Sequence, residues 1–278
     1  MTVGIALEFV NEDKSKGIVI VSDRMVSSGD WGTEMPAHKP YILFQGDEMQ
    51  VMAIGAGEMS TIAEYMGNAS RALTDHPPSD LPGVMEICNN VYVEMLREVV
   101  KRNYLDPYDI TFKELVDQGT IRGKLFEDIQ YRIYKQAIPE FFDKIGVLVA
   151  GVTKSGTTIF SLEDSLKATV SGRVGFEAIG SGFESADWTL MHRQFNPDRD
   201  KFYSLFLGMY AKIQAEESTG VGRDTDAYVI YHDRIEVVPQ VLLDTVRKEF
   251  EHERQRAKLN LEKAIKKMRG EEIEWKKE

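Results

Sequence analysis

The chain has 278 residues, 42% of them hydrophobic, with 45 acidic against 34 basic side chains and a formal charge of -11. That length can bury a large core, and the acidic balance argues against a surface built to neutralise phosphates, so no nucleic acid is expected as a partner. The single cysteine, Cys88, excludes an internal disulfide and a cysteine metal cluster, and no apolar run reaches the roughly 20 residues that cross a membrane.

The sequence opens on an apolar strand, residues 3–10, with no basic region ahead of a signal-type core, so a cytoplasmic, reducing location is expected. Turn-forming residues 11–17 separate this strand from a second apolar run, 18–22, which predicts a hairpin. Asp23-Arg24 ends the second strand. On these residues alone, Asp23 reads as a turn cap or as the partner of Arg24. Residues 27–40 are rich in Gly, Ser and Pro and read as a loop. Strands follow at 41–44 and 49–54, the second running into Gly55-Ala56-Gly57, where glycine permits close backbone approach or positive φ.

Helical spacing then covers 58–73 and 81–102. Met85, Cys88, Val91, Met95 and Val99 recur three or four apart, which makes Cys88 a core residue. Residues 106–142 form an irregular helical block with interruptions at Gly119 and Gly123, and the aromatic residues Phe126, Tyr131, Tyr134, Phe141 and Phe142 are expected to pack against the domain. Strands return at 146–152 and 157–161 around Thr153-Lys154-Ser155-Gly156. A strand at 175–179 leads into Gly180-Ser181-Gly182 and helices from 184 and over 201–216, followed by strands 226–231 and 235–238. Runs of strands separated by helix pairs predict an α+β, four-layer αββα sandwich of two antiparallel sheets over 1–238. A helical insertion at about 106–142 and a long C-terminal helical extension, 239–278, complete the expected organisation. Phe250, Ala257, Leu261, Ala264 and Met268 fit a heptad seam in that extension, interrupted by Arg254.

The familiar phosphate-loop, His-Glu-x-x-His and Cys-x-x-Cys patterns are absent, and histidines 38, 76, 192, 232 and 252 lie in no triad context, so neither metal nor cofactor is expected. Removal of Met1 would expose Thr2, a residue that then carries both a hydroxyl nucleophile and an α-amine titrating near pH 7.7–8. The remaining candidates are strand ends: Asp23, Lys39, Gly55 and Ser181.

Thr2-Val3-Gly4-Ile5 near the terminus, Ser22-Asp23-Arg24 ending the second strand, Lys39 before the next strand and a glycine-bearing turn before a helix resemble the proteasome β-type subunits, which are N-terminal-nucleophile (Ntn) hydrolases. The resemblance continues through Leu148-Val149-Ala150-Gly151, residues 178–182 and residues 220–230, and covers 2 to about 105 and 145–238. It implies the Ntn fold and a divergent bacterial or archaeal homologue. It also implies Thr2 as the nucleophile, its amine as the base, Asp23 and Lys39 as an ion pair beside it, the Gly55 N–H as oxyanion donor and Ser181 in the polar layer around the amine. The activity implied is that of a threonine peptidase or amidohydrolase acting on a peptide or protein substrate through an acyl-enzyme, in a homo-oligomeric ring or stacked ring. The alternatives are an inactive scaffold or regulatory subunit, and an acyl transferase using the same nucleophile. Lys39 precedes Pro40 and lies about two residues further from its strand than the family's pattern expects, a displacement of roughly 6–7 Å along a strand.

Overall fold

The computed structural model describes residues 2–28, 31–34, 38–116, 124–163, 165, 167–171 and 174–270. Its first hairpin is β1 (Gly4–Val10) with β2 (Lys16–Asp23), in antiparallel register from Gly4 opposite Ser22 to Val10 opposite Lys16. Residues expected to form a loop instead carry a second hairpin, β3 (Met25–Ser28) and β4 (Trp31–Glu34), paired from Met25–Glu34 to Ser28–Trp31. The Gly, Ser and Pro content of this stretch hides two strands too short for a clear period. Gly29 and Asp30 lie outside the described residues.

Strands β5 (Pro40–Gln45) and β6 (Met49–Gly57) precede helices α1 (Met59–Asp75) and α2 (Leu81–Val100). The insertion holds α3 (Phe112–Val116), α4 (Lys124–Arg132) and α5 (Ile138–Lys144). Gly119 and Gly123, expected as helix interruptions, fall outside the described residues. Phe141 is buried and packs edge-on to Tyr92 of α2, with Phe142 stacked on the same ring. Tyr131 and Tyr134 are exposed, contrary to the expectation that the insertion's aromatics pack inward. The core is reached instead by Ile129 and Ala137, each 1% exposed.

After the insertion come β7 (Ile145–Thr153), β8 (Gly156–Leu162), β9 (Thr169–Val170) and β10 (Phe176–Ile179), then α6 (Phe183–His192), α7 (Lys201–Ala215), β11 (Thr225–Ile230) and β12 (Ile235–Val237). One five-stranded sheet runs β10-β1-β2-β11-β12 and the other β5-β6-β7-β8-β9, and all their pairings are antiparallel.

The layers follow from the period-two alternation of the strands. Ala6, Ile18, Ile20, Met52, Ile54, Leu148, Ala150 and Ile179 form the core between the sheets. The intervening residues Val51, Ala53, Val147 and Val149 face α1 and α2, packing with Ile62, Tyr65, Val84 and Cys88. On the other sheet Ile5 and Leu7 face α6 and α7 through Ala186, Leu190, Leu207 and Ala211. The result is a two-sheet sandwich with helices on both outer faces.

The chain divides into two units, Met1–Val238 and Pro239–Glu278. The described part of the second holds α8 (Gln240–Gly270), on which Leu259, Leu261 and Met268 are exposed. No helix of the described residues is long and apolar enough to cross a membrane, and no group of three metal-ligating side chains among them could hold an ion.

Leu148 is 1% exposed between the sheets, whereas Val237 on β12 is 69% exposed. Leu148→Ala should therefore lose about 2–5 kcal/mol in urea unfolding, and Val237→Ala about 0.5 kcal/mol or less. Equal losses at the two positions would contradict this layering.

Candidate active site

The start of the chain is fastened from three sides. The Thr2 carbonyl accepts from the Gly182 N–H and from the Ser181 hydroxyl, both at 3.3 Å. The Val3 N–H donates to Asp23 Oδ1 at 3.0 Å. Gly4 lies so close to β6 that a Cβ there would come within 2.7 Å of Ile54 Cγ2, which brings the first residues of β1 to the end of the other sheet. The turn after β10 makes the approach possible, because Gly180 has φ +84° and a Cβ on it would lie 2.5 Å from the Thr2 carbonyl oxygen.

At this fastened end the Thr2 hydroxyl donates to Asp23 Oδ1 at 2.6 Å and accepts from the Lys39 ammonium, which also donates to Asp23 Oδ1 at 2.8 Å. The Gly222 N–H holds the second carboxylate oxygen at 3.0 Å. Thr2, Asp23 and Lys39 are 3%, 0% and 7% exposed, so the ion pair is almost wholly withdrawn from water. Burial by itself would raise the Asp23 pKa. The Lys39 charge, together with hydrogen bonds from Lys39, Thr2 and Gly222, outweighs that effect and holds the carboxyl below the usual range. Burial also pulls the Lys39 ammonium below the ordinary lysine range, and Asp23 offsets only part of this.

Asp23 therefore pairs with Lys39, sixteen residues away, and not with its neighbour Arg24. Arg24 turns instead to Asp226, its Nε and Nη2 at 2.9 and 2.5 Å from Oδ1. Adjacent side chains on an extended strand diverge, so a local pair suggested by sequence adjacency is geometrically disfavoured. Gly55 sits in β6 opposite Val147, and continuation of the β5–β6 register beyond Pro40–Ile54 sets it across from Lys39. Its Cα is covered by Ile62 of α1, since a Cβ there would approach Ile62 Cγ2 to 2.3 Å. The five sequence candidates thus gather at one end of the sandwich.

One contributor was not legible beforehand. Lys212 of α7 is fully buried and donates to Glu216 Oε1 at 2.6 Å and to the Gly222 and Arg223 carbonyls at 2.7 and 2.8 Å. It thereby orders the turn whose Gly222 N–H reaches Asp23. The available signal was a lysine flanked by the apolar Ala211 and Ile213 in a core-facing helical pattern. Glu216, which caps the end of α7 ahead of the glycine turn, is the acidic partner of this lysine. Cys88, the other conceivable nucleophile, is buried with its thiol pushed up to about 12, so it stays protonated and inert.

No protein-family model matches the sequence, and no curated protein matches it either. Solved structures do. The Gly-1 mutant of Anbu from Hyphomicrobium sp. strain MC1 superposes with a TM-score of 0.64 at 11% identity, over 92% of this chain and 96% of that one. Anbu (ancestral beta-subunit) from Yersinia bercovieri gives 0.61 at 16% identity, over 90% and 94%. The fold is proteasome-like and Ntn-type. The likeness spans nearly the whole of both chains while few residues are shared, so it is a likeness of sheets and helices.

Asp23 provides a pH-dependent test of the buried pair. Its folded-state pKa is lower than its unfolded one, so its stabilisation is complete above the unfolded value of about 3.9 and is lost as the pH falls through the folded value. Asp23→Asn, which leaves Lys39 buried without its counter-charge, should cost about 3–5 kcal/mol at pH 7. The gap between wild type and variant in denaturant midpoints should narrow below about pH 4. Gly180→Ala, strained at positive φ and crowding the Thr2 carbonyl, should lose about 1–3 kcal/mol in the same assay.

Proposed function

We propose that the chain is a threonine-type amidohydrolase or peptidase that uses Thr2, freed by removal of Met1, as its nucleophile. The supporting observation is the contact of a single hydroxyl, Thr2 Oγ1, with both members of a buried ion pair, Lys39 and Asp23. An ammonium against that oxygen stabilises the alkoxide character that develops on attack, and its depressed pKa brings it closer to exchanging a proton there. Asp23 fixes the lysine and the hydroxyl in one geometry, and Gly222, Ser181 and Gly182 hold the surrounding backbone.

In the proposed cycle Thr2 Oγ1 bonds to an amide carbonyl carbon while the freed α-amine takes the hydroxyl proton. The tetrahedral oxyanion, stabilised by the Gly55 N–H, collapses with cleavage of the C–N bond. The departing amine carries off the proton, which leaves a threonyl ester. Water attacks the ester, returns its proton to Oγ1 and releases the acid. Substrates are peptides or proteins; the description of Anbu as an ancestral beta-subunit supports a homo-oligomeric assembly, and the single cysteine, which leaves no internal disulfide to maintain, supports a reducing, cytoplasmic setting. Transfer of the acyl group to an amine would employ the same residues.

Intact-mass spectrometry should show a chain beginning at Thr2, and an electrophilic peptide warhead should attach to that residue. Thr2→Ala should abolish attachment in a folded protein, and Lys39→Met should slow it about 10²-fold or more. A chain that retains Met1, or one that is processed and folded yet resists the warhead, would leave the inactive-scaffold reading in place.

A further inference from the structure

Lys39 reaches Thr2 in spite of an unusual approach. The chain leaves β2 at Asp23, forms the β3–β4 hairpin and returns at Lys39 just ahead of β5. The residues immediately inside this excursion's ends, Arg24 after Asp23 and His38 before Lys39, converge on one carboxylate. Arg24 donates to Asp226 Oδ1 at 2.9 and 2.5 Å, and His38 Nδ1 lies 2.9 Å from Asp226 Oδ2. Against a carboxylate, Nδ1 is the donor, which fixes the tautomer or charge of the ring.

Asp226 is well placed to act as a fixed anchor. It is 5% exposed, lies in β11 and is paired in register with Ser22 of β2, one residue from the Thr225–Asp23 pair. Pro40 restricts the backbone of Lys39 to extended conformations from the other side. With His38 held on one flank and Pro40 on the other, the Lys39 side chain is directed away from Asp226 and toward Thr2 and Asp23.

We propose that Asp226 is a positioning residue that sets the register of Lys39 against Thr2, by gripping Arg24 with one carboxylate oxygen and His38 with the other. The proposal rests on the reading of Thr2 as nucleophile for its catalytic consequence, although the brace itself has an independent readout. Asp226 touches no reacting atom, and its effect passes through the backbone on which Asp23 and Lys39 are mounted.

His38 gives the cleanest test because its side chain is 60% exposed and its replacement leaves the core untouched. His38→Ala should reduce the maximal rate of Thr2 attachment to a peptide warhead by about tenfold or more, with half-saturation unchanged within about twofold. His38→Asn, whose amide nitrogen occupies the place of Nδ1, should recover most of the loss. NMR titration of ε-carbon-labelled lysine supplies the second readout: in His38→Ala the Lys39 pKa should rise toward the ordinary lysine value as the ammonium escapes burial, and in His38→Asn it should stay low. Thermal midpoints within a few degrees of wild type confirm that the variants are folded. The proposal is overturned if His38→Ala matches wild type in rate and titration, or if His38→Ala and His38→Asn fall alike. Should wild type fail to react at all, the nucleophile reading falls, and the Lys39 titration alone then decides the brace.

Discussion

The withdrawal of the Asp23–Lys39 ion pair from water is the constraint on which the rest of this site depends. Taking two charges into a protein costs several kcal/mol per ion unless each finds a close counter-charge and its remaining hydrogen bonds are met. Asp23 meets that requirement with Lys39, the Thr2 hydroxyl, the Val3 N–H and the Gly222 N–H. These partners come from three separate pieces of chain, so the pair can exist only where the end of one sheet, the approach to the other and the turn before β11 meet.

The surroundings read as a sequence of supports for that meeting point. Gly4 lets β1 lie against Ile54 of the opposite sheet, and Gly180 lets the turn after β10 pass the Thr2 carbonyl. Lys212, a second buried cation, is satisfied by Glu216 and two backbone carbonyls, and its position fixes the turn that carries Gly222. Asp226 collects Arg24 and His38. Charged groups in the interior are thus arranged in pairs around Thr2, and each pair secures a segment that the hydrophobic layers do not hold directly.

Much of the architecture was legible because strand and helix periods are local properties. The alternation of Ala6, Ile18 and Ile20 with Ile5 and Leu7, and the three- and four-residue spacing around Cys88, assign faces without knowledge of the partners. The β3–β4 hairpin was not legible, since four-residue strands rich in Ser and Gly carry too little period. The outward-facing Tyr131 and Tyr134 were misread for a related reason: aromatic content says how much surface is available to bury and not which side of a helix will bury it.

By itself, the sequence determined the sheets, the helix pairs, the sandwich they imply and a threonine that processing can expose. Tertiary structure alone decided which charges meet. Asp23 could have answered Arg24 beside it, and the position of Lys39 ahead of Pro40 left its reach undetermined. Strand register settled both, pairing Asp23 with Thr225 and Pro40 with Ile54, so that Lys39 faces Asp23 while Arg24 turns to a carboxylate 202 residues away. Coulomb energy depends on distance through space, and a buried pair is formed by whatever the folded sheets bring within hydrogen-bond reach.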